Sequence, residues 1–374
     1  MSDVWTFRAL VYNVMLPVDV PLRYNSQHER ASRIPGRLAD LHRELGGSGL
    51  DVVGFCELIP PALKRRMDSG LQKLFPFQTG TMSHSLADGQ LKLVSSGLVL
   101  YSRHPILTVR EMLFETDCDG ADCLAGKGVL YARIHVNGRH VVNVVHTHLQ
   151  AWNTPDGRRT RAQQALQIRA FIDALNLRPD EPLVFMGDLN TDLYTQSQLL
   201  ASLLHTLGLE WPELTTRSPK FSSDPATNQL MGNDETSMYA STAWPGGCYH
   251  EYVRTLSCPC CPRELLDFVV AGKRGASPVS SHMRVIPLKA ARPFRGRLNF
   301  RTTKELRDLS DHYPVLGQFT FRGSARGAAQ REIPAGLTTP RRPELLRWGL
   351  GVVWGGLAIV VLLLVWRYFS TRAP

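Results

Sequence analysis

The sequence predicts an α/β protein of mixed β-sheets packed against helices, followed by one C-terminal transmembrane helix. Three observations predict it. Short apolar runs recur along residues 6 to 321, longer stretches with helical spacing alternate with some of them, and a run of nineteen residues without charge lies near the end. Hydrophobic residues are 43% of the 374 and charged residues 20%, which excludes a disordered, collagen-like or polytopic membrane chain.

The first element is Thr6 to Leu16, TFRALVYNVML, a buried strand with β-branched Val11 and Val14 that Pro17 closes. It lacks a preceding basic segment and a small-residue cleavage site, so it does not read as a signal peptide. Further strands are expected at Asp51 to Cys56, Gly97 to Tyr101, Val129 to Ile134, Val141 to His146, Leu183 to Met186, Leu265 to Val270 and Val315 to Phe321. Helices are expected over Arg30 to Leu45 and Thr160 to Leu175, the second with apolar positions at Ala162, Ala165, Leu166, Ile168 and Ile172. Periodicity does not set strand order.

After Phe321 the composition turns to Gly, Ala, Pro, Thr and Arg, so residues 322–347 read as a basic flexible linker behind a folded domain of residues 1–321. Residues 348–369 read as a membrane anchor and 370–374 as a short tail. Trp348 to Trp366 carries no charge and spans roughly 28 Å at 1.5 Å per residue, about one hydrocarbon core. Trp348, Trp366, Tyr368 and Phe369 stand where interfacial aromatics belong, and Arg347 and Arg367 bracket the span. Positive charge is heavier on its N-terminal flank, which places the folded domain on the cytoplasmic side.

The formal charge of +10 is unevenly placed. Arg322 to Arg347 holds six arginines against Glu332 and Glu344, and Arg367 and Arg372 follow, leaving about +4 for the rest. A domain so mildly basic calls for no stable nucleic-acid partner, whereas a basic stretch beside an apolar segment suits an electrostatic membrane contact. Seven cysteines, an odd number in a long chain, do not make a disulfide framework and fit a reducing compartment. Cys248, Cys258, Cys260 and Cys261 cluster without the paired spacing of a zinc site, so reduced loop cysteines are expected there. A Cys118–Cys123 disulfide is expected only if the domain faces an oxidising side.

The informative feature is where acidic, amide and imidazole groups stand relative to the strands. Asn13 lies in the first run, Glu57 follows Val52 to Cys56, and His148 follows Val141 to Val145. Asp188 and Asn190 follow Leu183 to Met186, and Asp311 and His312 precede the last strand. Each alone has a plain reading as a turn residue, a surface charge or a strand-end histidine. Buried charge is costly unless paired or bound to metal, so their recurrence at one kind of position suggests convergence. Together they meet the needs of metal-assisted phosphoester hydrolysis: carboxylates for a hard cation such as Mg²⁺, with Mn²⁺ as a substitute, amide and imidazole donors for phosphoryl charge, and a histidine base for water.

Asn13, Glu57, THLQ (Thr147 to Gln150), GDLN (Gly187 to Asn190), LDF (Leu266 to Phe268) and SDHYPV (Ser310 to Val315) together resemble the endonuclease/exonuclease/phosphatase superfamily, over roughly residues 6 to 321. The resemblance implies a four-layer α/β sandwich, two mixed β-sheets flanked by helices. It implies that Glu57 binds the metal with Asp311 near it, that Asn13 positions the metal–phosphate centre and that His148 contacts the scissile phosphate. It further implies that Asp188 and Asn190 orient water and phosphoryl oxygens, and that His312 is the general base with Asp267 holding its imidazole. An orienting carboxylate selects the tautomer whose free nitrogen accepts a proton.

Three branches of the superfamily compete. Inositol-polyphosphate 5-phosphatases typically carry Tyr-Arg after the GDLN-like turn and a Trp-Cys-Asp-Arg segment, whereas Thr191 and Asp192 follow here and Asp267 sits in LLDFVV. Abasic-site endonucleases and deoxyribonucleases share the catalytic set but want an extended basic groove. HTHLQAW (His146 to Trp152), LAGKGVLYARI (Leu124 to Ile134), ERASRIPGRL (Glu29 to Leu38), DPATNQL (Asp224 to Leu230) and PRELLDFVV (Pro262 to Val270) resemble the neutral sphingomyelinase branch.

That branch implies a Mg²⁺-dependent phosphodiesterase acting on a membrane phospholipid, with the C-terminal helix keeping the enzyme at the bilayer. Lys127, Gln150 and Trp152 are its candidate substrate-binding residues, and Trp152 and Tyr249 offer aromatic faces to a trimethylammonium head group. Their plain readings are a solvated loop lysine, a polar loop residue and packing aromatics. A catalytically silent membrane-anchored scaffold is the alternative of another class, against which the complete polar set argues. The GxxxG spacing of Gly351 and Gly355 leaves the oligomeric state open.

Overall fold

The structure, a computed structural model, describes residues 4–16, 26–82, 94–115, 118–216, 218–231, 263–297 and 303–323. The expected anchor, nearly all of the linker, Tyr249 and the Cys248 to Cys261 cluster lie outside them. Among the described residues no helix is long and apolar enough to cross a membrane.

In chain order the elements begin with β1 (Val4–Leu16), α1 (Gln27–Glu44), β2 (Val52–Leu58), α2 (Pro61–Leu71), β3 (Phe77–Gln78), β4 (Val94–Ser95), β5 (Val99–Ser102) and β6 (Ile106–Leu113). A 3₁₀ turn over Gly120–Leu124 leads to β7 (Ala125–Gly126), β8 (Gly128–Val136), β9 (His140–His148), α3 (Pro155–Ala174), β10 (Leu183–Asp188) and α4 (Ser197–Leu207). The chain continues through β11 (Asp267–Ala271), β12 (Ser280–Val285), the hairpin of β13 (Lys289–Arg297) and β14 (Thr303–Asp308), and β15 (Val315–Arg322). Within the described residues each expected strand, and both expected helices of the folded domain, are present with their ends shifted.

Two sheets dominate, one in the order β12-β15-β1-β2-β5-β3 and the other in the order β11-β10-β9-β8-β6. Both are mixed: β1–β2 and β9–β10 pair in parallel, while β1–β15 and β10–β11 pair antiparallel. The period-two alternation of β1 shows the layering. Phe7, Ala9 and Val11 enter the core shared with Val144, Phe185 and Val269 of the second sheet. Leu10, Tyr12 and Val14 face the other way, onto Ala31, Ile34 and Leu38 of α1 and Leu63 and Met67 of α2. Helices α3 and α4 add Ala165, Ile168, Leu200 and Leu204 to the first core, completing a sandwich of helices, sheet, sheet and helices. Gly54 lets the sheets approach closely, since a Cβ there would lie 2.4 Å from Met186 Cε.

Two expectations change. Helix α3 exposes Ala162 and Leu166, the latter by 62%, and buries Thr160, Arg161 and Gln164 beside Ala165, Ile168 and Ile172. The reason is local: the first turns of α3 lie against the backbone of the loop after β9, which needs hydrogen-bonding partners rather than apolar cover. Second, Cys118 and Cys123 form a disulfide, so reduced cysteines are not found at this pair. The turn between them holds their Cα atoms 5.1 Å apart, within disulfide range.

Candidate active site

Strand register assembles the first half of the site. Asp188 at the end of β10 pairs with His148 of β9 on one side and with Asp267 of β11 on the other. Residues opposite one another on neighbouring strands share a face, so these three polar side chains stand in a row. The ends of β1 and β2 bring Asn13 and Glu57 against this row, and the segment before β15 brings Asp311 and His312.

Asp188 is the hub. Its Oδ2 accepts a hydrogen bond from Asn13 Nδ2 at 3.1 Å and lies 3.8 Å from both His148 Nε2 and His312 Nδ1. Asn13 Nδ2 also donates to Glu57 Oε1 at 2.8 Å, and His312 Nδ1 lies 2.7 Å from Asp267 Oδ2. Asp188 Oδ1 accepts from the Asn190 amide at 2.9 Å in a tight turn, which aims Asn190 Nδ2 at Leu149 O, 3.0 Å away.

The backbone here is unusual. Met15, Glu57 and Asn190 have φ of 42°, 59° and 48°, in the left-handed region that non-glycine residues seldom enter. The β1–β2 register also shifts between Asn13 and Leu16. Such strain persists only where surroundings over-determine it, and Arg30 of α1 is part of that surrounding. Its buried guanidinium donates to the carbonyls of Val14, Met15 and Leu309 at 2.8, 2.6 and 2.9 Å. Ser310 Oγ donates to Asn13 O at 2.7 Å, and Asn228 Nδ2 donates to the carbonyls of Ser310 and Asp311 at 2.9 and 3.1 Å. Arg30, Asn228 and Ser310 thus carry the site; of these, only Ser310 lies in a catalytic motif.

The electrostatics favour a cation. Burial, then the Asp311 charge, pushes the Glu57 carboxyl up to about 7. Burial, then Asp267, pushes Asp188 up to about 6. Burial opposes charge on His312, but the charge and hydrogen bond of Asp267, with Asp311 and Asp188 behind them, raise it well above its ordinary value. Burial, then Lys127 and His312, holds His148 well below its own, as a neutral imidazole. The carboxylates therefore lean on His312 and Lys127 for countercharge, and a divalent cation among them would take over that role and let His312 release its second ring proton.

Among the described residues, Asp188, Asp267 and His312 form a set whose potential ligand atoms lie within 4.8 Å of one another. The donor chemistry nevertheless separates two roles. His312 Nδ1 is engaged with Asp267 Oδ2, so Asp188 and Asp267 offer this set its hard carboxylate oxygens, while Glu57 and Asp311, the expected ligands, are not part of it.

The three expected substrate-binding residues divide. Lys127 is buried rather than solvated: its Nζ donates to Leu149 O at 2.7 Å and pairs with Asp122 Oδ2 at 2.6 Å. Gln150 spends its amide on the chain, accepting from Asp119 N at 3.2 Å and donating to the carbonyls of Asp119 and Ala151 at 2.9 and 3.1 Å. It shapes the loop. Trp152 is 39% exposed with φ at 69°, beside Gly120. Arg161 lies beneath this loop and donates through Nη1 to the carbonyls of Gln150 and Trp152 at 2.9 and 2.7 Å. Glu264, pushed up to about 7 by burial and then by Asp192, is a further acidic neighbour of Asp188 and His312. A charged residue on the core side of α3 is the signal by which Arg161 shows in the sequence; Glu264 has none.

Such a centre hydrolyses phosphate esters: hard oxygens for an ion, a neutral imidazole for a phosphoryl oxygen, and a carboxylate-oriented imidazole for water. That defines the chain as a metal-dependent phosphodiesterase. It belongs to the Endonuclease/Exonuclease/phosphatase family, whose sequence model matches residues 24–312. It is 26% identical over 289 residues to a sphingomyelinase C from Bacillus cereus, covering 73% of this chain and 78% of that one. The crystal structure of sphingomyelinase C from Streptomyces griseocarneus is similar at a TM-score of 0.65 and 25% identity, over 84% of this chain and 99% of that one. A mutant β toxin from Staphylococcus aureus with bound magnesium ions shares the fold at a TM-score of 0.67 and 22% identity, over 85% of this chain and 100% of the other.

Proposed function

We propose that this protein hydrolyses sphingomyelin at a membrane surface, releasing phosphocholine and leaving ceramide in the bilayer. The observation that carries the proposal is the Asp188 hub, intact in a chain whose relatives include sphingomyelinases C.

Glu57 and Asp311, with Asp188 beside them, would hold a divalent cation, Mg²⁺ or in its place Mn²⁺. Bound there, it supplies charge for a phosphoryl oxygen and acidifies water. Asp267 takes the Nδ1 proton of His312 as a hydrogen bond, leaving Nε2 to accept a proton from the attacking water. The water oxygen bonds to phosphorus as the bond from phosphorus to the ceramide oxygen breaks; that oxygen takes a proton from solvent, and His312 returns its own to solvent. Neutral His148 donates to a phosphoryl oxygen, and Asn13 holds Asp188 and Glu57 in place.

The uncharged run Trp348 to Trp366 supports a C-terminal anchor, which raises local substrate concentration without altering the chemical step. Its charged N-terminal flank supports a cytoplasmic domain, and the Cys118–Cys123 disulfide supports an oxidising side. Protease protection of the full chain in sealed membranes separates these readings. The functional test is incubation of the full chain with choline-labelled sphingomyelin vesicles. Mg²⁺-dependent release of phosphocholine is expected; cleavage of abasic-site DNA without that release would move the activity to the nuclease branch.

A further inference from the structure

We propose that His146 is a positioning residue for the metal site: through Nε2 its ring hydrogen-bonds across the gap between the two sheets and fixes how far β2, which carries Glu57 near its end, stands from β10, which ends in Asp188. The proposal rests on the reading above, in which a divalent cation is held by these carboxylates.

The segment HTHLQAW holds two histidines, and the mechanism uses His148 alone. His146 lies two residues earlier on β9, so both side chains stand on one face of the strand, with His146 roughly 6 to 7 Å deeper. Where His148 meets the Asp188 hub, His146 is fully buried between two backbone carbonyls. Its Nε2 is 3.0 Å from Phe55 O of β2, in the opposite sheet, and its Nδ1 is 3.2 Å from Met186 O of β10, in its own. Phe55 precedes Glu57 by two residues, Met186 precedes Asp188 by two, and His146 precedes His148 by two. One imidazole thus ties three strands together in a single layer beneath three residues of the site.

That layer is narrow. A Cβ at Gly54 would lie 2.4 Å from Met186 Cε and 3.1 Å from the His146 ring. The core around it is apolar, with Val11, Val144 and Met186. Apolar contact is non-directional and sets no exact separation, whereas a hydrogen bond fixes the distance between its two heavy atoms. Cys56 Sγ stands 4.0 Å from Nε2 and directs its weak donor to Thr147 O at 3.7 Å, which leaves the cross-sheet contact to the imidazole. Burial lowers the affinity of this ring for a second proton, against the pull of the two carbonyls and then of Asp267. A single ring proton is enough for the cross-sheet bond when Nε2 carries it.

Two braces therefore join Glu57 to Asp188. Asn13 Nδ2 joins their side chains, at 2.8 and 3.1 Å. His146 joins their strands. The first orients the carboxylates and the second sets the span between them. A Mg²⁺-like ion demands near-ideal ligand geometry, so a change of span lowers its affinity before it touches the lipid. Losing a partner that orients metal ligands costs about 10- to 100-fold in metal affinity or activity.

The experiment uses the full chain as wild type, His146→Gln, His146→Asn, His146→Leu and Cys56→Ala, each checked for fold by circular dichroism. Glutamine brings its amide nitrogen to the place of Nε2, and asparagine brings its own to the place of Nδ1. Mg²⁺ is titrated against hydrolysis of sphingomyelin vesicles and, without turnover, against Tm. His146→Asn and His146→Leu should raise the Mg²⁺ concentration at half-maximal rate by about tenfold or more and shrink the Mg²⁺-dependent rise in Tm. KM for sphingomyelin at saturating Mg²⁺ should stay unchanged. His146→Gln should restore the wild-type Mg²⁺ response. Cys56→Ala loosens the same core and should lower Tm without moving that response. In wild type with ring-labelled histidine, ¹⁵N NMR should find a proton on Nε2 of His146, assigned by its loss in His146→Gln.

An unmoved Mg²⁺ response in folded His146→Asn would overturn the proposal, as would equal shifts in the Gln and Asn variants or an equal shift in Cys56→Ala. An unprotonated Nε2 in wild type would overturn it without any variant. Absence of sphingomyelin hydrolysis by the wild type, with Tm still rising in Mg²⁺, would overturn the functional reading alone and leave the Tm titrations to decide the role of His146.

Discussion

Asn13 on the first strand and Asp188 on the tenth are joined across the space between the sheets by a 3.1 Å hydrogen bond from Nδ2 to Oδ2. The same nitrogen reaches Glu57 at 2.8 Å, so one amide holds two carboxylates that would otherwise repel. Asn13→Ala leaves both buried acceptors without this donor and should cost about 1–3 kcal/mol of stability. Asn13→Asp adds a third carboxylate and should be worse in stability and in kcat. Urea unfolding and steady-state kinetics check both, and a neutral Asn13→Asp would show that the bond contributes nothing.

His312→Ala should lose ~10² to 10⁴-fold in kcat with the fold intact, the usual range for a general base. Asp267 acts through His312, so adding Asp267→Asn to His312→Ala should lower turnover little further. Near-normal activity of His312→Ala would remove it as the base.

Glu57→Gln should raise the Mg²⁺ concentration needed for half-maximal activity. The same change should show without turnover, since a ligand that binds only the folded chain raises Tm, by the equivalent of about 2.7 kcal/mol at a hundredfold excess over Kd. Tm titrated with Mg²⁺ should rise less in the variant. Identical titration curves would place the ion elsewhere.

Stability should respond to His42 with a defined sign. Its Nδ1 accepts from Leu50 N at 3.0 Å, and burial, then Arg103, lowers its proton affinity from the ordinary 6.5. The unfolded chain therefore binds the proton at higher pH than the folded one. The contribution is fully present above about 6.5 and is lost as pH falls through it toward the lower folded value. A His42→Gln variant lacks this titration, so the stability difference between wild type and variant should shrink between pH 8 and pH 5.5. A constant difference across that range would contradict the assignment.

Much of the architecture was readable from the chain. β2, β9 and β10 are flanked on both faces by packed layers and so read as unbroken apolar runs. β6 and β12 were not marked because they are sheet edges, where partial exposure dilutes any such run. α4 carries Leu200, Leu203, Leu204 and Leu207 at helical spacing and was readable in principle. α3 misled, because its core side is charged and polar at Arg161 and Gln164 where it meets backbone.

Sequence alone determined the chemical inventory, an amide, carboxylates and imidazoles each set at a strand end, because a residue's identity and local periodicity are written in its neighbours. Which of them touch was decided only by tertiary structure. The row His148, Asp188 and Asp267 exists through β9–β10–β11 register, and Asn13 meets Asp188 across 175 positions of chain. The same packing turned Gln150 from a candidate ligand contact into a brace and buried Lys127. Such pairings depend on how two sheets stack and slide, and side-chain packing over long chain separations sets that geometry where no local pattern reaches.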